Sequence, residues 1–477
     1  MRYLIRNMPV QPEIILVQPP SREQGKLIYP PMGLMAASAL VDAAGVPVEI
    51  LDGNVIGQRA VEERLREAQP RIVGITSFTG PMLRAALEIS DFAKRNTPAT
   101  VVWGGVHASI LPEQTLANDC VDVVVRFEGD QTLLQIHENL DDLEKVPGIA
   151  FEKDGQVVVN PQAGLLPDLG VLPPFPWHLV DAEHYVIPWA QADRTLPVIS
   201  SRGCPYRCSF CYNLVFNDQR WRGFPLDRVT AEIDYLVDRY RLTGLRLDAS
   251  DLFIGPGKPG REHALSIVRH AHGHGLKWAA QLRTNQVDED LLREFKALGC
   301  NYLFYGLESG SKRILKEIYK DVRVDHIKKI VDLTNSLGIM CAAGIMYDFP
   351  GETYEEFRET VRLFQQARIL VRFSALQPYP GTPVFEYVRD KGLFDFPKDT
   401  LGWCDFEYDH PHGLSDIPRV RERAGLWNLK YNYGHNLLVT LRRRDWFFLR
   451  TMSRSFLDYA IQERREFMGG RSFELNY

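Results

Sequence analysis

Short apolar runs along the chain alternate with stretches of helical apolar spacing, and the alternation occurs twice. In the first 145 residues the candidate strands are 13–17, 48–51, 71–76, 100–103 and 121–125. Between them, 32–44, 61–68, 82–94 and 131–140 carry apolar positions at three- and four-residue intervals and read as helices. Strands apolar on both faces, strictly alternating with helices, predict a doubly wound, Rossmann-like parallel sheet, and ligands of such sheets sit at the carboxyl ends of the strands. The run 148–159 reads as a hairpin whose Asp154-Gly155 pair suits a type I′ turn. Pro161, Pro167, Pro173, Pro174 and Pro176 follow, and this connector is the clearest domain boundary.

From Pro197 the alternation restarts, with strands near 198–200, 244–248, 277–282, 302–305, 340–345 and 371–376. Six such units make about three-quarters of an eight-fold β/α barrel. After Gly381-Thr-Pro383 the pattern becomes irregular, then helical from Arg419 to about Met468. The expected α/β organisation is a Rossmann-like domain over 1–145, a hairpin and Pro-rich linker over 146–194, a partial (β/α)6 TIM-like barrel over 195–385 and a helical C-terminal domain over 386–477.

The 477 residues, 45% hydrophobic and 25% charged, suffice for two or three cores. A net charge of -5 gives no footprint for nucleic acid. No run approaches the roughly 18 consecutive apolar residues of a membrane span, and the N-terminal stretch is too short and broken for a signal peptide. Seven cysteines, three of them clustered, suit a reducing compartment, so the expected location is cytoplasmic.

The most chemically specific run is Ser201-Arg-Gly-Cys204-Pro-Tyr-Arg-Cys208-Ser-Phe210-Cys211. A four-iron, four-sulfur cluster normally takes four Cys ligands, so three on one loop leave one iron open to an outside ligand. Tetrahedral zinc would also want four, and no His or Cys follows Cys211 closely enough to complete a compact zinc site. Cys120, Cys300, Cys341 and Cys404 stand singly and read as buried structural thiols.

With its C-x3-C-x-aromatic-C spacing, this run resembles the motif of the radical S-adenosylmethionine (SAM) superfamily. The resemblance implies a [4Fe-4S] cluster on Cys204, Cys208 and Cys211, SAM chelating the open iron, and cleavage of SAM to a 5′-deoxyadenosyl radical; partial barrels are also what it implies. Tyr305-Gly306-Leu-Glu308-Ser309-Gly-Ser311 is similar to the family's G-x-E-S-G segment, which makes Gly306, Glu308 and Ser309 candidate SAM contacts. The competing role for Glu308 is to cap the helix starting near Lys312. Asp248, Ser250 and Asp251 follow the second strand as candidates for holding the SAM amino group, or as helix caps. Arg283 ends the third strand and is placed to pair the SAM carboxylate bidentately, the alternative being a surface or interhelix salt bridge. The segments 348–353 and 377–383 resemble ones common in cobalamin-binding members and receive no chemical role.

In the first half, Ser77-Phe-Thr79, Gly104-Gly105-Val106-His107 and Glu128-Gly129-Asp130 converge on the carboxyl edge of the sheet, and Tyr29-Pro30-Pro-Met-Gly33-Leu34 precedes them. Together they resemble the cobalamin-binding domain that precedes the barrel in one branch of the superfamily. The resemblance runs over roughly residues 12 to 390. That module has D-x-H-x-x-G with a cobalt-ligating His, whereas here Asp52-Gly-Asn54-Val-Ile-Gly57 puts Asn54, a poor cobalt ligand, at the His position. Either the cobalt has no protein ligand on its lower face, or the domain has lost cobalamin. His107, after the fourth strand, reads as a cofactor-edge or loop hydrogen-bonding residue.

The implied activity is cobalamin-dependent methyl transfer to an unactivated carbon or phosphorus; oxidative cyclisation or rearrangement and a non-catalytic sensor are the alternatives. Implied partners are a small-molecule substrate, large and apolar in one reading, and an electron donor such as flavodoxin or ferredoxin. The aromatic and Arg-rich runs 427–433 and 441–449 suit a substrate pocket, a membrane surface or a helix packed on the barrel.

Overall fold

Five parallel strands, apolar on both faces, organise the first half of the computed structural model: β1 (Ile14–Gln18), β2 (Val48–Asp52), β3 (Ile72–Thr76), β4 (Thr100–Gly104) and β5 (Val123–Val125). The structure describes residues 11–21, 29–247, 252–406, 413–420 and 429–443, with positions 423, 426, 427 and 449. Helices Met32–Ala43, Gln58–Ala68, Met82–Asn96 and Thr132–Glu138 lie between the strands in sequence. Ile14, Ile15, Val17, Val73, Val101 and Val123 are completely buried, as expected of strands covered on both sides. The hairpin of β6 (Ile149–Lys153) and β7 (Gln156–Val159) turns at Asp154 and Gly155, whose φ values of 53° and 75° are those of a type I′ turn. It adds to the parallel sheet through an antiparallel β5–β6 ladder, giving the order β2-β1-β3-β4-β5-β6-β7.

This first compact unit takes in residues up to Tyr185 and a later segment beginning at Phe396. The later segment is held by Trp403, whose indole N–H donates to Gln114 Oε1 at 2.9 Å, and by Asn118 Nδ2 donating to Thr400 Oγ1 at 3.0 Å.

The second unit starts with β8 (Ile187–Trp189), an antiparallel partner of β9 (Ala192–Pro197). A short ladder of β10 (Ser201–Arg202) and β11 (Arg222–Gly223) follows. The main sheet continues through β12 (Gly244–Arg246), β13 (Lys277–Leu282), β14 (Cys300–Glu308), β15 (Met340–Tyr347) and β16 (Leu370–Ala375), in the order β16-β15-β14-β13-β12-β9-β8. Within this main sheet the ladders joining β9, β12, β13, β14, β15 and β16 are all parallel, the six-stranded partial barrel that the alternation predicts. Its first strand lies earlier than the expected 198–200. Thr195 and Leu196 pair with Gly244 and Leu245, whereas Val198 contributes a single N–H bond to Arg246 O before the chain turns away. The polar Asp193 and Arg194 conceal this strand from an apolar-run reading.

The outer edge of β16 is covered by side chains rather than by another strand. Asn432 Oδ1 and Nδ2 bond the Phe373 N–H and C=O at 2.7 and 2.8 Å, and Asn436 does the same to Val371 at 2.8 Å in both directions. Two amides four residues apart thus imitate a neighbouring strand and block the open edge. Trp427 and Tyr431 pack on Phe357, Phe364 and Phe373, which is the barrel-packing alternative given above for the run 427–433.

Past β15, Asp348 adopts φ 67° and its carboxylate accepts the N–H groups of Gly413 and Ser415 at 2.8 and 2.9 Å. Beside it Glu352 is completely buried, accepts the Phe349 N–H at 3.2 Å, and has no partner for Oε1 among the described residues. Burial pushes the Glu352 carboxyl up from its ordinary 4.5 to about 8. The folded chain therefore holds a proton that the unfolded chain releases. That stabilisation is complete below pH 4.5 and is lost as pH rises through about 8. Glu352→Gln is expected to flatten this part of the stability profile, measured by urea denaturation across the same interval, and to be more stable than the parent at the alkaline end.

Candidate functional site

The loop carrying the three cysteines leaves the barrel sheet where only glycine fits. Gly203 has φ 80°, and a Cβ there would stand 1.8 Å from Arg220 O. Beyond it the chain is pinned at Ser209, whose N–H donates to Ile318 O at 3.0 Å and whose C=O accepts from Val384 N–H at 3.1 Å. Cys211 N–H closes a turn on Cys208 O at 3.1 Å. Cys208 is buried, Cys204 and Cys211 are half-buried, and none is in a disulfide. Phe210 is half-buried between the second and third cysteines. Burial, with the nearby Cys208 and Cys204 sulfurs adding to it, pushes the Cys211 thiol up to about 12. A thiolate here needs a cation, so loading the loop with metal releases protons.

Arg283, from the end of β13, supplies fixed positive charge at this point. Its Nη1 donates to Cys208 Sγ at 3.0 Å, its Cζ sits 3.8 Å above the Tyr206 ring, and its Nη2 donates to Lys320 O. Neither a surface ion pair nor an interhelix one is formed: the side chain is buried and has no carboxylate partner among the described residues. Lys320 in turn donates from Nζ to Glu308 Oε1 at 2.7 Å, both side chains being buried. A register shift in the β14–β15 ladder between Gly306 and Glu308 re-aims the strand end, and Glu308 adopts φ 65°. Gly306 makes room for the pair, since a Cβ there would lie 2.6 Å from Glu308 Oε1 and 2.9 Å from Lys320 Nζ.

Glu308 is not the cap of the helix Lys312–Glu317; Ser311 is, its hydroxyl accepting the Ile314 N–H at 3.3 Å. Ser309 is buried and bonded to Thr360 Oγ1 at 3.1 Å, which fixes the loop. Asp248, Ser250 and Asp251 lie outside the described residues. Cys208, Arg283, Gly306 and Glu308 are thus linked in one network, and the sequence reading missed the residue that joins them, Lys320. Its only signal was a lysine ending an apolar helical run that begins just past Glu308.

The first unit's strand ends form a less charged surface. Ser77 Oγ donates to Gly104 O at 2.8 Å and accepts the Ala108 N–H at 3.2 Å, stitching the ends of β3 and β4 together. Gly105, at φ 94°, is required by this turn: a Cβ would meet Ser77 O at 2.6 Å. Gly104 and Gly33 face open space, the former with only Val125 at 3.9 Å and the latter with nothing within 4 Å. Val106 and His107 open the short helix Val106–Ile110. His107 Nδ1 lies 3.1 Å from Thr79 Oγ1, and Nε2 has no partner among the described residues. Burial pushes its imidazole down to about 3, so the ring is neutral at ordinary pH. Tyr29 and Gly33 are exposed, Pro30 buried, and Glu128 and Gly129 half-buried.

Asn54 is fully employed. Its Nδ2 donates to Asp52 Oδ1 at 3.0 Å, and its Oδ1 accepts the Ser21 N–H at 2.9 Å. Asp52 also accepts the Tyr185 hydroxyl at 2.8 Å. The triplet that would support a metal-ligating imidazole serves instead to tie loops.

Two family models match the chain, the B12 binding domain over residues 23–137 and the radical SAM superfamily over residues 198–364. The chain is 29% identical over 396 residues to an uncharacterized methyltransferase, PH0819, of Pyrococcus horikoshii, covering 80% of this chain and 84% of that protein. It is 27% identical over 358 residues to the anaerobic magnesium-protoporphyrin IX monomethyl ester cyclase of Cereibacter sphaeroides, covering 72% of this chain and 57% of the cyclase. Among solved structures, the radical SAM methyltransferase TsrM of Kitasatospora setae, with cobalamin and a [4Fe-4S] cluster bound, has the same fold. The TM-score is 0.68 at 19% identity, over 84% of this chain and 82% of that one.

The buried pair gives a direct test of the network. Lys320→Met leaves the Glu308 carboxyl buried without its partner, at an expected loss of about 3–5 kcal/mol in unfolding free energy. Adding Glu308→Leu should recover most of that loss in the same denaturation measurement.

Proposed function

The chain belongs to the radical SAM superfamily and carries a B12-binding domain, and from that membership we propose that it is a cobalamin-dependent radical SAM methyltransferase acting on an unactivated carbon or phosphorus of a small molecule. The observation that carries this reading is the presence of both domains in one chain that runs over 84% of a relative named as a methyltransferase.

The residues suit the implied groups. Cys204, Cys208 and Cys211 would hold a [4Fe-4S] cluster, three sulfurs on one loop with the Arg283 guanidinium against the middle one. Glu308 and Lys320 offer an acceptor and a donor of opposite charge beside it, suited to the ribose or amino group and to the carboxylate of SAM. In the first unit, open space at Gly33 and Gly104, the neutral His107 with its bare Nε2, and Thr79 suit the rim of a cobalamin. Asn54 is already spent on Ser21 and Asp52, in keeping with a cobalt that takes no protein ligand at that position. When bound, these groups would supply a carbon-centred radical and a transferable methyl group. The protein's part is to hold, orient and exclude water: Arg283 keeps an N–H on the Cys208 sulfur, and the bulged end of β14 fixes the Glu308 carboxylate. An external one-electron donor of the flavodoxin or ferredoxin kind completes the scheme.

Oxidative cyclisation is the second reading, favoured by the 27% identity to the Cereibacter cyclase, of which the chain spans 57%. The two separate by their by-products after anaerobic reconstitution with iron, sulfide, cobalamin, SAM and a reductant. Methyl transfer is expected to give S-adenosylhomocysteine and 5′-deoxyadenosine in equal amounts. 5′-Deoxyadenosine alone, in step with product, would favour cyclisation, and no SAM turnover would contradict both.

A further inference from the structure

Away from the cysteine loop, three side chains of the second unit converge on one point of the surface. Asp234 lies on the helix Leu226–Tyr240, His270 on the helix Gly257–Gly273, and His274 follows directly as that helix's C-cap. His270 and His274 are four residues apart and share one face of the helix. Both Nε2 atoms lie 2.7 Å from the same oxygen, Asp234 Oδ1. The two rings meet edge to face at 5.2 Å, and one ligand atom of each residue lies within 4.8 Å of the other two. We propose that Asp234, His270 and His274 form a binding site for a first-row divalent transition-metal ion, with zinc as the physiological occupant.

Two imidazole nitrogens and one carboxylate oxygen are the donor set that zinc takes alongside a water. Zinc-to-ligand bonds of about 2.0–2.2 Å in a tetrahedron put neighbouring donor atoms about 3.3 Å apart. Each nitrogen–oxygen spacing of 2.7 Å therefore has to open by about 0.6 Å, and the two imidazole nitrogens, within 4.8 Å of each other, have to settle at the same separation. The side chains have that freedom, being 46%, 31% and 32% exposed for Asp234, His270 and His274. The same exposure leaves a fourth position open to water. Calcium and magnesium are disfavoured, since they prefer an all-oxygen shell. The nitrogen–oxygen set also differs in kind from the sulfur set of Cys204, Cys208 and Cys211, so the two sites sort metals by ligand softness.

The placement gives the ion a structural role. One ligand comes from the helix before β12 and two from the helix after it, so an ion here would cross-link the elements on either side of that strand. β12 lies between β9, which leads into the cysteine loop, and β13, which ends at Arg283.

The test uses the full chain with its cysteines already occupied by reconstituted cluster, titrated with zinc chloride by calorimetry. The expected result is one saturable zinc per chain, a nitrogen- and oxygen-only shell by zinc X-ray absorption, and a raised melting temperature. His270→Ala and His274→Gln should each weaken zinc by at least about tenfold, with iron content unchanged. Because both residues lie at the surface, circular dichroism of the variants should match the parent. Absence of saturable binding, sulfur in the zinc shell, or undiminished affinity in both variants would overturn the proposal.

Discussion

The contact between the Arg283 guanidinium and the Cys208 sulfur is the one on which the barrel end depends. Three cysteine sulfurs crowd one short loop, and burial together with the neighbouring sulfurs pushes the Cys211 thiol up to about 12. The chain answers with a cation whose own position is over-determined: a sulfur at 3.0 Å, an aromatic face at 3.8 Å and a backbone carbonyl. That carbonyl belongs to Lys320, so one cation positions the next, and Lys320 then neutralises Glu308 at 2.7 Å. The path runs from a sulfur through two cations to a carboxylate, and each cation sits against an acceptor, which is what lets the buried groups stay paired.

The first unit solves a different problem. Its strand ends carry hydroxyls, glycines and a neutral imidazole, and its one buried acid at β2, Asp52, is spent on Asn54 and Tyr185. Such a surface suits a ligand held by shape and hydrogen bonds rather than by charge. The same economy explains why no acid–base pair emerged from the sequence: in cofactor enzymes of this kind the protein binds and orients while the cofactors carry the difficult step.

Much of this was legible in the residues and some of it could not be. Spacing alone exposed the cysteine loop, because ligand number is written in sequence, and both rounds of β/α alternation followed from apolar periodicity. The Asp154-Gly155 turn was equally readable, since few residue pairs accept two positive φ values. By contrast Lys320, twelve residues past Glu308, carries no pattern that pairs the two, and only the bulge at the end of β14 turns the carboxylate toward it. The first barrel strand was displaced in the reading by Asp193 and Arg194, polar positions near a strand start. The Asn432 and Asn436 clamps on β16 imitate backbone with side chains, and no periodicity reports that. The return of the segment around Trp403 to the first unit is likewise a tertiary event, held by the buried indole on Gln114 and by Thr400 on Asn118.

If three cysteines hold the cluster and the fourth iron awaits an outside ligand, that iron must respond to SAM. Electron paramagnetic resonance of the reconstituted, reduced protein, recorded with and without SAM, reads this directly. The account predicts a single [4Fe-4S] signal per chain whose g values shift on adding SAM. A spectrum indifferent to SAM would mean that the cluster is fully ligated by protein, and would contradict it.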